Sequence, residues 1–131
     1  MSSPPERSAL VAAARAVRRR AHAPYSKFTV GAAVLDERGR VSVGCNVENA
    51  SYGLTVCAER NAIAAAVAAG ARRIRAVAVA SVSSPPASPC GACRQVIAEL
   101  GQPDTEVLLA GSKGAAERTT LGALLPRAFA L

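Results

Sequence analysis

Two short cysteine motifs, far apart in the chain, limit what this sequence can fold into. They read Cys57-Ala58-Glu59 and Pro89-Cys90-Gly91-Ala92-Cys93. On a helix, positions i and i+3 share a face, so Cys90 and Cys93 can grip one ion. With Cys57 they make three thiolates, enough to hold zinc while leaving its fourth position open. An open position on zinc is where water becomes a nucleophile. Glu59 follows Cys57 closely enough to carry that water's proton. The fold must therefore aim the starts of two separate helices at one another. Pro89 suits a first helical position. Helix N-termini carry partial positive charge, which favours the thiolates a metal requires. Arg60 and Arg94 each follow a motif residue and could donate hydrogen bonds to sulfur, and Arg60 is the favoured partner.

A chain of 131 residues fits one domain, spanning 1–131, with residues 1–5 expected to be disordered. It has no Trp, two Phe and two Tyr, so Ala, Val, Leu and Ile must fill the core. The alanines between Ala62 and Ala69 let that helix approach its neighbours closely. The same apolar run is too short for a bilayer, which needs about 20 residues. Four Cys with no secretory pattern ahead of them point to a reducing, cytoplasmic setting and to free or metal-bound thiols. The formal charge of +7 raises nucleic acid as a partner. Arginines do cluster at Arg15, Arg18, Arg19 and Arg20, and at Arg72, Arg73 and Arg75, but no aromatic residues are interleaved with them. They read as solvated helix faces and turns, and neither nucleic acid nor membrane is expected as a partner.

Periodicity and breakers give the order of elements. A helix is expected over Glu6–Ala21, strands over Phe28–Leu35 and Arg40–Val47 around a turn at Asp36–Gly39, and a helix over Val56–Ala69. A buried strand follows at Arg75–Val82, then a metal-bearing helix at Pro89–Leu100, a strand at Glu106–Ala110 and a short helix at Leu121–Leu125. This order suggests a mixed sheet covered by helices, with the Pro89 helix crossing between parallel strands.

A second constellation ends the hairpin. Alternation sends Val41, Val43, Cys45 and Val47 one way and Ser42, Gly44, Asn46 and Glu48 the other. Asn46 and Glu48 could clamp vicinal hydroxyls, as on ribose. They could equally be a solvated strand edge, and periodicity does not separate the two.

Several segments together resemble one family. They are Ala23–Ala33, Gly44–Gly53, Cys57–Arg60, Ser88–Val96 and Leu124–Phe129. In this order they are similar to the small homotetrameric cytidine deaminases, over nearly the whole chain. The resemblance implies an α/β fold of three α/β/α layers with a five-stranded mixed sheet. It implies hydrolytic deamination of cytidine and 2′-deoxycytidine to the uridines, in pyrimidine salvage. Cys57, Cys90 and Cys93 would be the ligands of one zinc per chain, with Glu59 the proton shuttle as water attacks C4. Asn46 and Glu48 resemble the pair on the ribose 3′-hydroxyl, and Phe28 the aromatic packed on the pyrimidine. The backbones of Ala58 and Ser88 resemble base-edge contacts. Phe129 resembles a C-terminal aromatic that reaches a neighbouring subunit's site, and Arg60 the arginine that offsets thiolate charge. Arg127 departs from the small residue many relatives carry there. The implied assembly is a homotetramer with shared active sites.

Three other readings are distinguishable. A structural zinc module would recruit Cys45 as a fourth thiolate and do no hydrolysis; Cys45 reads instead as a small buried residue on the other strand face. A deaminase of single-stranded nucleic acid would need an open groove. A deaminase of another cytosine-bearing small molecule would not need Asn46-Val47-Glu48-Asn49.

Overall fold

The computed structural model describes residues 2–131. Helices α1 (Pro4–Val17), α2 (Ala58–Ala68), α3 (Gly91–Leu100) and α4 (Leu121–Leu124) surround strands β1 (Gly31–Asp36), β2 (Val41–Cys45), β3 (Ile74–Ala80), β4 (Glu106–Ala110) and β5 (Glu117–Thr120). The strands form one sheet in the order β2-β1-β3-β4-β5. Only β3 and β4 run parallel, joined through α3; the other pairs are antiparallel. The expected five-stranded mixed sheet between helical layers is what forms.

Strand β1 is buried along its whole length because both faces are covered. Ala32 and Val34 point into a core shared with Ala62, Ile63 and Ala66 of α2 and Ile97 of α3. Ala33 and Leu35 point the other way, against Leu10, Val11 and Ala14 of α1. With so few large side chains, the helices ride close to the sheet backbone. A Cβ at Gly31 would lie 2.0 Å from the Ala14 carbonyl oxygen, and one at Gly44 would lie 2.3 Å from the Ala62 nitrogen. Glycine at these two points is what lets α1 and α2 dock.

The N-terminal residues differ from expectation. Residues 1–5 read as disordered, yet α1 starts at Pro4, capped by Ser3 with a reciprocal contact from Glu6. The Ser2 backbone N–H donates to Glu106 Oε1 at 2.7 Å, and its hydroxyl donates to the same oxygen. A buried carboxylate demands donors, and this one recruits the chain start. Met1 lies outside the described residues. At its other end α1 stops at Val17 and tightens into a 3₁₀ turn over Arg18–Arg20, short of the expected Ala21.

Strand β5 escaped the pattern reading. Glu117-Arg118-Thr119-Thr120 has no apolar alternation, and only its antiparallel pairing with β4 makes it a strand. The expected strand from Phe28 begins only at Gly31, because the Asn46 side chain ties down residues 28–30 in place of a ladder. Its amide nitrogen donates to the Phe28 carbonyl at 2.8 Å and its oxygen accepts from Val30 N–H at 2.9 Å.

Candidate active site

Cys57 and Cys90 are the N-caps of α2 and α3, both with extended backbones, rather than first-turn residues. Pro89 accordingly precedes the cap instead of opening the helix. Cys93 lies in the first turn of α3. The three sulfurs lie within 4.8 Å of one another, and Cys57 and Cys90 Sγ are 4.0 Å apart. Zn–S bonds of about 2.3 Å in a tetrahedron put sulfurs ~3.8 Å apart, so these thiols fit zinc with little adjustment. Cys93 is buried, Cys57 half-buried and Cys90 exposed, which leaves one side of the cluster open. Cys45 does not belong to the cluster, which among the described residues comprises Cys57, Cys90 and Cys93. It is also less buried than expected.

Electrostatics at the cluster follow from burial. Burial pushes the Cys93 thiol well up, and the Glu59 carboxylate adds to the effect. A cation among the sulfurs opposes both. At Cys90 burial works the same way but is outweighed, chiefly by the Cys93 backbone N–H and the neighbouring thiols, so its pKa falls below the ordinary value. Glu59, only 5% exposed, is raised by burial; its own backbone N–H, the Cys93 thiol and Arg60 partly offset this. Arg60 lies against Cys57 and Cys93, and the Cys57 thiol raises its pKa further. It donates from Nη2 to the Thr55 carbonyl at 3.2 Å, while its buried Nε has no acceptor. A buried donor left over beside two thiols suits a metal–thiolate group, which carries net negative charge.

Arg94 turns away from the sulfurs. Its Nε donates to the Pro89 carbonyl at 2.7 Å, Nη1 to the Leu124 carbonyl at 2.7 Å and Nη2 to Ser88 Oγ at 3.0 Å. It braces the turn that presents Cys90 against the C-terminal segment. Gln95 extends the brace by donating to the Phe129 carbonyl at 3.1 Å.

Asn46 and Glu48 sit on a segment sandwiched between two partners. Val47 bridges Val56, next to Cys57, and also His22. Glu48 Oε1 accepts from the backbone N–H groups of Tyr25 and Ser26, and Oε2 from the Ser26 hydroxyl. The Ser26 hydroxyl is the main cause holding its carboxyl below the usual range. Asn46 likewise spends an N–H and a lone pair on residues 28–30. Both residues thus shape the loop that carries Phe28, which is exposed. Phe129 is exposed too, two residues beyond Arg127, whose φ of 56° is left-handed. Ala58 is fully buried in the first turn of α2, and Ser88 is exposed beside Arg94.

The structure therefore joins Cys57, Cys90, Cys93, Glu59 and Arg60 in one site, and places Asn46 and Glu48 just past the end of β2, on a segment that bridges to Val56 next to Cys57. Sequence reasoning missed the bracing by Arg94 and Gln95, and Asn61, which donates to the Cys45 carbonyl at 2.8 Å and ties α2 to β2. A polar side chain in so alanine-rich a helix was the available signal for Asn61.

Known proteins agree with this geometry. Residues 4–109 match the family described as the cytidine and deoxycytidylate deaminase zinc-binding region. A cytidine deaminase of Sporosarcina psychrophila is 50% identical over 92% of this chain and 88% of its own. One from Mycobacterium tuberculosis is 46% identical over 85% of this chain and 80% of its own. The crystal structure of cytidine deaminase from Burkholderia pseudomallei superposes with a TM-score of 0.89 at 53% identity, covering 93% of this chain and 98% of that one. This chain therefore belongs to the zinc-binding cytidine and deoxycytidylate deaminase family.

Proposed function

We propose that this enzyme converts cytidine and 2′-deoxycytidine, with water, to uridine and 2′-deoxyuridine plus ammonia, serving pyrimidine salvage in the cytoplasm. The observation that carries the reading is Glu59: a buried carboxyl beside Cys93, at the start of the helix that Cys57 caps. The names of the close relatives support the substrate.

Cys57, Cys90 and Cys93 would hold one zinc per chain, which supplies Lewis-acid activation of the attacking water. Glu59 takes a proton from that water and gives it to N3 of the pyrimidine as the water oxygen adds to C4. It then moves the remaining hydroxyl proton to the C4 amine, which departs as ammonia, and the C4–O bond becomes the uracil carbonyl. Its burial keeps bulk water from competing for either proton. Positioned proton transfer contributes on the order of 10² to 10⁴ in rate. Arg60 offsets the charge of the thiolates. Asn46 and Glu48 hold the Phe28 loop and offer their free N–H and lone pairs to the ribose 3′-hydroxyl. Phe28 packs on the base, and the backbones of Ala58 and Ser88 meet its edge. Phe129 reaches a neighbouring subunit's base in a homotetramer. Exposed Tyr52, Leu54 and Phe129 support burial of this surface between subunits.

The test is an ultraviolet assay on cytidine and 2′-deoxycytidine with zinc measured on the same sample. Glu59→Gln should keep zinc and fold while losing at least about a hundredfold in turnover. Wild-type turnover in that variant rules the mechanism out.

A further inference from the structure

The far side of the sheet carries a second concavity that the proposed deamination does not use. Five strands about 4.8 Å apart make a face roughly 20 Å wide, and one helix covers about 10 Å of it. Helix α1 sits over β1 and β3, where Leu10, Val11 and Ala14 meet Ala33, Leu35, Ala76 and Ala78. The strip over β4 and β5 is left as a groove of about 600 Å³ between α1 and the sheet. Its floor is apolar, from Val11, Leu108, Ala115 and Ala116. That volume lies within the 300–1,000 Å³ typical of small-molecule sites.

The rim is basic. Arg7 and Arg15 line it from α1, each four residues from Val11, Arg19 from the 3₁₀ turn that follows α1, and Arg118 from β5. Arg118 pairs across the ladder with Leu108, so it shares the α1 face, while alternation sends Glu117 to the other side. One carboxylate answers these four cations. Glu106, 2% exposed, lies 2.9 Å from Arg118 and 3.9 Å from Arg7. Arg15 is oriented by the Gly111 and Gly114 carbonyls, at 3.0 and 2.8 Å, which fix its guanidinium without cancelling its charge. Arg19 makes no ion pair among the described residues. The Arg15–Arg19 end thus keeps its positive charge, with Arg15 held in place and Arg19 exposed, and the Arg7–Arg118 end is half neutralised.

We propose that this groove binds a nucleoside triphosphate. The phosphates lie on Arg15 and Arg19, and the sugar and base lie on the apolar floor toward Arg7 and Arg118. Guanidinium groups match phosphate oxygens in bidentate pairs and can also stack on a base. A fatty anion would use the floor but leave most of the arginines unanswered. A polynucleotide would need a through-groove with stacking aromatics, and no aromatic residue lines this one.

Isothermal titration calorimetry tests this on the zinc-loaded enzyme, with uridine saturating the catalytic site and at 150 mM salt. CTP and ATP serve as ligands, inorganic triphosphate and a dT oligonucleotide as controls. The expected result is one site per chain, with inorganic triphosphate at least about tenfold weaker for want of the floor. Ala12→Glu, from an exposed α1 position in the groove wall, and Arg19→Glu should each weaken CTP by about tenfold or more. Both should leave cytidine turnover and the unfolding temperature unchanged. No binding of either nucleotide at millimolar concentration overturns the proposal. So does inorganic triphosphate binding as well as CTP, the oligonucleotide binding tighter, or both variants binding like wild type.

Discussion

Substituting alanine for Gly44 should push α2 away from β2, and Cys57 and Glu59 away from their partners. The new Cβ would stand 2.3 Å from the Ala62 nitrogen and 2.8 Å from the Ala58 carbonyl oxygen, where ordinary contact begins at 3.4 Å. These are backbone atoms of a helix and cannot rotate aside, so α2 must withdraw by about 1 Å. Overpacking of this kind costs about 1–3 kcal/mol, or roughly 3–12 °C of Tm for a chain this size. The site loses more. Separating α2 from α3 by about 1 Å widens the 4.0 Å Cys57–Cys90 gap beyond what tetrahedral zinc spans. A misplacement of that size costs on the order of a hundredfold in rate. Gly31→Ala is the control. Its Cβ would meet the Ala14 carbonyl at 2.0 Å, on the opposite face of the sheet, so it strains α1 and spares the cluster. Circular dichroism gives Tm, a chelating dye gives zinc per chain, and ultraviolet absorbance gives turnover per zinc-loaded chain. Both variants should lose Tm, but only Gly44→Ala should lose zinc and turnover. Wild-type zinc and turnover in Gly44→Ala, or equal zinc loss in Gly31→Ala, would refute the reasoning.

Cys90→Ser should lose most bound zinc and some stability, since metal binding is coupled to folding, whereas Cys45→Ser should keep full zinc; equal loss in both would mean a closed four-thiolate site. Glu106→Gln should lower stability by about 1–2 kcal/mol at neutral pH, because Ser2 and Arg118 lose a charged acceptor. Burial raises the Glu106 carboxyl, but Ser2 and Arg118 outweigh it and hold it below the ordinary 4.5. Its contribution is therefore complete above pH 4.5 and lost as pH falls through the lower folded value, so the Tm gap between variant and wild type should close in acid. A gap that widens in acid contradicts this assignment. Deleting Phe129–Leu131 should weaken cytidine binding with zinc retained, and mixing that deletion with Glu59→Gln chains should restore some activity; full activity from a monomer, seen by light scattering, rejects the shared site.

The chemistry was the most legible part of the sequence because it is local. Cys-x-Glu and Pro-Cys-x-x-Cys each lie within one helix start, where spacing alone fixes which side chains meet. Strands β3 and β4 were equally plain, as apolar runs buried on both faces. β5 was not, because a four-residue edge strand of Glu, Arg and Thr is defined by its partner and by no property of its own. The Ser2–Glu106 contact was hidden for the same reason, since its ends are 104 positions apart. Asn46 and Glu48, read as a sugar clamp or a strand edge, turn out to hold residues 25–30. An amide and a carboxylate can serve a loop as readily as a sugar, and only the acceptors within reach distinguish the uses. Arg94 looked like a sulfur partner from its position next to Cys93; its reach to Leu124 required the tertiary fold.

That reach has a consequence for how the enzyme is made. Arg94 grips the Leu124 carbonyl and Gln95 the Phe129 carbonyl, so the helix that presents Cys90 and Cys93 is completed by a stretch synthesised after all three cysteines. While the ribosome still holds that stretch, the turn presenting Cys90 lacks its brace, although all three cysteines have already been translated. Tight zinc capture should therefore wait until residues 124–129 have left the ribosome. Ribosome-arrested chains stopped before Leu124 should bind zinc more weakly than the released enzyme.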